Sequence, residues 1–77
     1  MNIEKAFAIT LKEVRNQKKL SQESLAFASN LDRTYISLLE RGKRQPTLTS
    51  FFFISKALDM SLVELMTILE MKIKEDN

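Results

Sequence analysis

Seventy-seven residues make one domain at most. With no Cys for a disulfide and no Cys or His for a zinc site, a core this small must rest on good packing and self-association. The net charge is only +2, but residues 1–44 carry nine Lys/Arg against five Asp/Glu, whereas residues 45–77 carry three against five, so the first half is where a polyanion would dock. Met1 to Leu11 lacks a signal-peptide pattern, and the apolar cluster Phe51 to Ile54 is far below the roughly 18 residues a membrane span needs. A soluble, cytoplasmic protein without membrane contact is expected. With no His, no Cys, no Gly-rich phosphate loop and no paired-carboxylate motif, enzyme chemistry, a bound metal, a cofactor and a small-molecule ligand are not expected.

Helix formers dominate, strand alternation is missing, and one Gly and one Pro leave few breaks. The first predicted helix runs from about Ile3 to Lys18, with Phe7, Leu11 and Val14 as its apolar stripe. The second follows Ser21 as N-cap and runs to about Ser29, with Leu25 and Ala28 inward and Asn30 at its left-handed end. The third has Asp32 as N-cap and runs to about Arg41, where Gly42 stops it. A basic loop, Gly42-Lys-Arg-Gln-Pro46, leads to Thr47 as N-cap of a fourth helix, roughly Leu48 to Leu58. Ser61 and Glu64 form a capping box opening a fifth helix, about residues 62–74. The expected fold is all-α, a compact five-helix bundle filling residues 1–77. Lys72, Lys74, Glu75 and Asp76 read as a solvated tail.

Gln22, Ala26, Asn30, Ile36 and Leu39 belong together. Two short helices that cross steeply need a small side chain at the crossing, which Ala26 supplies. The tight turn between them needs a residue that tolerates positive φ, which Asn30 supplies. Ile36 and Leu39, at i and i+3, bury one face of the second helix. That leaves Arg33, Thr34, Ser37 and Leu38 on or near its outer face, the arrangement that reading a DNA major groove requires. Arg33 can donate twice to a guanine, Thr34 and Ser37 can bond to a base or phosphate, and Leu38 can touch a thymine methyl. Gln22, opening the preceding helix, can hold a phosphate. An ordinary helical hairpin would share some of these residues but has no need of the whole spacing.

The runs Leu20-Ser-Gln-Glu-Ser-Leu-Ala26, Asn30-Leu-Asp-Arg-Thr-Tyr-Ile-Ser37 and Leu39-Glu-Arg-Gly-Lys-Arg-Gln-Pro46 resemble the Cro/C1-type (XRE) helix-turn-helix family. Asp32-Arg-Thr-Tyr-Ile-Ser37 with Glu40-Arg-Gly42 most resembles the controller proteins of bacterial restriction-modification systems. The likeness spans about Phe7 to Met66. It departs at Asn30 and Asp59, where the family often has Gly, and both residues tolerate that backbone. The resemblance implies a lambda-repressor-like DNA-binding domain that binds a palindromic double-stranded DNA operator as a homodimer. It further implies control of restriction-modification genes, its own included, with RNA polymerase as a further partner where the protein activates. Base contacts would fall to Arg33, Thr34 and Ser37, and phosphate contacts to Gln22, Tyr35, Lys43, Arg44, Thr49 and Ser50. Arg15 and Glu40 would form an ion pair pinning the reading helix. A phage-type repressor and an antitoxin-like interaction module are the alternatives.

Phe51, Phe52 and Phe53 cannot all face one core, because successive helical residues point about 100° apart. Phe51, Ile54 and Leu58 are the expected inward stripe. In the fifth helix Leu62, Leu65, Met66 and Leu69 read as one face, widened by Val63, Ile68 and Met71. A dimer interface around Phe53, Val63 and Ile68 is the expectation.

Overall fold

The computed structural model describes residues 1–76; Asn77 lies outside them, as does the side chain of Asp76. The chain forms α1 (Ile3–Gln17), α2 (Gln22–Ser29), α3 (Arg33–Glu40), α4 (Leu48–Ala57) and α5 (Leu62–Ile73), closed by a 3-10 turn at Lys74–Asp76. There is no strand among the described residues. α1 packs on α3 and α5, α2 lies against α3 and α4, and α4 meets α5.

Local chemistry sets the helix starts. Asn2, Ser21, Thr47 and Ser61 each hold extended backbone and accept a first-turn N–H on the side chain. Ser61 and Glu64 complete the capping box, the Glu64 carboxylate accepting from the Ser61 N–H at 2.8 Å. That bond is the leading reason the Glu64 pKa lies below 4.5. Because the folded value is depressed, the contribution is present above the unfolded value and is lost as pH falls through the folded one. Asp32 stands at the N-cap of α3, yet its side chain makes no capping hydrogen bond.

Four helix ends share one device. Lys19, Asn30, Gly42 and Asp59 all have positive φ, between 58° and 70°. The N–H of the residue after each reaches five positions back: Leu20 to Arg15, Leu31 to Ala26, Lys43 to Leu38 and Met60 to Ser55, at 2.9–3.1 Å. This is the Schellman closure, which satisfies helix carbonyls that would otherwise lack partners. Leu20, Leu31 and Met60 then pack on the core, so three of the four turns also add apolar contact. Lys19 gives no sequence signal for such a conformation.

The core is centred on Leu11, Leu25, Ile36, Leu39, Ile54, Leu58 and Leu65, with Phe7 tilted against Phe51 at 5.8 Å. Ala26 is buried where α2 meets α3, as the close crossing requires. Two inward assignments differ from the sequence reading. Ala28 is exposed, and Ser29 is buried in its stead because its hydroxyl bonds the Leu25 carbonyl at 2.7 Å. On α5 only Leu65 and Leu69 are buried; Leu62 and Met66 face outward. Lys72 is no solvated tail, since it reaches Glu13 of α1 at 2.9 Å and Glu75 at 2.9 Å.

Two outcomes follow. Lys19→Gly removes the left-handed strain of a side-chain-bearing residue, offset in part by unfolded-chain entropy, so thermal unfolding should show a gain of about 0.5–1 kcal/mol. Wild type should melt above Glu64→Ala at pH 7, and the gap should close as pH falls through the depressed Glu64 pKa.

Candidate nucleic-acid interface

α3 is only eight residues long, too short to hold itself helical in water, so its orientation comes from what it packs against. Ile36 and Leu39 are fully buried beneath it. At its far end the Glu40 side chain is 3 % exposed and the Arg15 side chain 10 %. Arg15 donates from Nε to Glu40 Oε2 at 2.6 Å and from Nη2 to Oε1 at 3.0 Å, a two-pronged contact across 25 residues of sequence. Its Nη1 donates to the Leu20 carbonyl at 2.8 Å. Gln22 adds a third donor to the carboxylate, Nε2 to Oε1 at 3.1 Å. The Glu40 hydrogen bond pushes the Arg15 pKa up, against burial, which would lower it. The pair therefore fastens the end of α3 to α1 and to the start of α2.

The outer face of α3 carries Arg33 and Thr34, both exposed, and Ser37 and Leu38, both half-buried. Arg33 has no ion-pair partner among the described residues. The three expected base-contacting side chains thus lie on one accessible face. Arg41 extends that face: its Nε donates to the Ser37 carbonyl and hydroxyl oxygens, each at 3.3 Å. The Ser37 hydroxyl accepts there and keeps its own O–H for another acceptor. The i, i+4 spacing from Ser37 was the available signal for Arg41.

The flanking basic loop is attached through Tyr35. Its hydroxyl lies 3.0 Å from Ser50 Oγ and donates to the Gln45 carbonyl at 3.4 Å, while the Arg44 guanidinium stands 5.9 Å from its ring centre. Lys43 and Arg44 are exposed. Ser50 differs from the expectation. It is 5 % exposed, and its hydroxyl is engaged with Tyr35 and the Thr47 carbonyl, so it faces inward rather than toward a phosphate. Thr49 is the exposed hydroxyl at the start of α4. Gln22 is half-buried, its amide turned to Glu40.

The expected dimer residues divide as well. Phe53 and Val63 are exposed, but Ile68 packs against the subunit's own core. The outward apolar residues are Leu48, Phe52 and Phe53 on α4 and Leu62, Val63, Met66 and Met71 on α5, with Ile3 on α1 and Phe27 on α2 exposed as well. Leu62, Val63 and Met66 line a shallow groove with Ile3.

A family model described as helix-turn-helix matches residues 11–65. The chain belongs to this helix-turn-helix family. Within its XRE-type members it is similar to restriction-modification control proteins. It is 42 % identical over 67 residues to control protein C.SmaI of Serratia marcescens, covering 87 % of this chain and 80 % of that one. It is 45 % identical over 65 residues to control protein C.MunI of a Mycoplasma species, covering 83 % and 88 %. Among solved structures, the wild-type restriction-modification controller protein C.Esp1396I superposes with a TM-score of 0.90 at 37 % identity, covering 97 % of this chain and 99 % of that one. The controller C.AhdI from Aeromonas hydrophila superposes with a TM-score of 0.77 at 44 % identity, covering 80 % and 94 %. C.Esp1396I is also known as a tetramer in complex with its natural 35 base-pair operator. The five helices and the all-α fold are those of controller proteins.

Removing Arg15 leaves the Glu40 carboxylate buried without its cation. Arg15→Met should therefore lower unfolding stability by about 3–5 kcal/mol, whereas Arg15→Met with Glu40→Met should recover most of the loss. Denaturant unfolding of the three proteins checks this.

Proposed function

We propose that this protein is a sequence-specific transcription regulator that binds a palindromic operator as a homodimer and controls restriction-modification genes, its own included. The observation that carries the reading is the α3 face, where Arg33, Thr34 and Ser37 stand accessible on a helix whose other face is buried and whose end is fastened by Arg15–Glu40. α3 enters the major groove; Arg33 reads a guanine edge, and Thr34 and Ser37 bond neighbouring groups. Gln22, Lys43, Arg44 and Thr49 hold phosphates on either side, and Tyr35 joins them when its O–H turns from the Gln45 carbonyl to a phosphate. The DNA complex known for C.Esp1396I supports this assignment by similarity. Such a reader acts in the cytoplasm, and any activation runs through RNA polymerase.

The second copy is carried by the outward apolar residues of α4 and α5. Phe53 and Val63 stay in the proposed interface, joined by Phe52, Leu62 and Met66. Ile68 supports them from beneath. Val63 is 73 % exposed in the single subunit, an apolar surface that a partner would cover. Two copies place the reading helices about one DNA turn, roughly 34 Å, apart or a multiple of it.

A footprint upstream of the protein's own gene tests the reading; two protected half-sites are expected, and no protection contradicts it. Arg33→Ala should cost operator binding about 1–3 kcal/mol and relax base preference. Lys43→Ala should weaken all sequences alike and reduce the logarithmic salt slope by about 0.9. In sedimentation at micromolar concentration, wild type should run as a dimer and Val63→Asp as a folded monomer.

A further inference from the structure

The geometry points to Glu40 as the positioning residue for Gln22's phosphate contact, an inference that rests on the DNA-binding reading above. Glu40 Oε1 accepts from Arg15 Nη2 at 3.0 Å and from Gln22 Nε2 at 3.1 Å, with Oε2 taken by Arg15 Nε. An ionised carboxylate only accepts, so it admits the nitrogen side of the Gln22 amide and repels the oxygen side. Glu40 thereby fixes which way round the amide sits. One N–H is held by Glu40 and the other remains for a further acceptor.

Gln22 is the first residue of α2, after the N-cap Ser21. The Ser21 hydroxyl accepts the Ser24 N–H, which leaves the backbone N–H groups of Gln22 and Glu23 without an intrahelical acceptor. A flipped Gln22 amide would put its carbonyl oxygen in the place of Nε2, against the Glu40 carboxylate, and would no longer offer an N–H from that position. Arg15 has a second task in this arrangement. Its charge offsets that of Glu40, which otherwise would place a negative group beside the phosphate that Gln22 holds. Gln22, Arg15 and Glu40 therefore act as one unit: Arg15 neutralises, Glu40 orients, and Gln22 makes the contact.

The test is a binding cycle on operator and random DNA, using wild type, Gln22→Ala, the paired change Arg15→Met with Glu40→Met, and all three changes together. The paired change removes the orienting carboxylate without leaving a buried unpaired charge. It should weaken both DNAs about five- to thirty-fold in the Gln22 background. In the Gln22→Ala background the added loss should be smaller by about three-fold or more, what remains being the loosened end of α3 that both backgrounds share. Equal losses in the two backgrounds overturn the inference. A methylphosphonate at the contacted phosphate should cost wild type more affinity than the paired variant, in which only the backbone N–H groups still meet it squarely; an equal cost to both overturns it. The side-chain amide of Gln22 in the DNA-free protein gives an independent readout by NMR. One Nε2 proton should be shifted downfield and slow to exchange in wild type, and ordinary in the paired variant. An ordinary amide in wild type overturns the inference. Wild type that binds no DNA overturns the parent reading and this inference with it, whereas binding with equal losses overturns this inference alone.

Discussion

The buried Arg15–Glu40 pair is the constraint on which the remaining geometry depends. A carboxylate taken out of water at the end of an eight-residue helix must find a cation and further donors, or the helix does not stay there. Arg15 meets that demand from the last turn of α1 and bonds the Leu20 carbonyl in the α1–α2 turn. Gln22 meets it from the first residue of α2. One ionic centre thus sets the relative placement of α1, α2 and α3. Apolar packing through Ile36 and Leu39 would bind α3 to the bundle, but contacts of that kind are less directional. The pair adds a directional stop at the end opposite Arg33.

From this anchor the surface divides into two regions of different chemistry. Around α3 the exposed groups include Arg33, Thr34, Arg41, Lys43 and Arg44, matched to a polyanion, with the N-cap Asp32 an acidic exception. On α4 and α5 they include Phe52, Phe53, Leu62, Val63 and Met66, matched to another apolar surface. Tyr35 ties the basic loop and the start of α4 to α3, which places Arg44 beside that helix. The Lys72–Glu13 ion pair joins α5 to α1, the helix that carries Arg15. The proposed dimer helix and α3 are therefore both fastened to α1.

The sequence made local features legible and left longer-range ones obscure. Ser21, Thr47 and Ser61 with Glu64 announced the starts of α2, α4 and α5 because capping works within one helical turn. Asn30, Gly42 and Asp59 were readable as left-handed positions because their chemistry tolerates that backbone. Lys19 was not, since its conformation is imposed by the closure of α1 onto Leu20. The inward sides of short helices were also ambiguous: Ala28 and Ser29 are adjacent on α2, and a hydroxyl that bonds its own helix can be buried as readily as a methyl. Ser50 turned inward through Tyr35, a partner 15 residues away. Arg15–Glu40 was expected only through family resemblance, and the structure supplies the bonds that spacing alone does not dictate.

The most direct test of the central claim, that a fastened α3 reads base edges through Arg33, is guanine methylation interference on the operator. Methylation of one guanine N7 in each half-site should block wild-type binding, since the guanidinium needs that acceptor. Arg33→Ala should become indifferent to that guanine alone while remaining sensitive to the others. If the same guanine still blocks the variant, Arg33 is not its reader and the account of α3 fails.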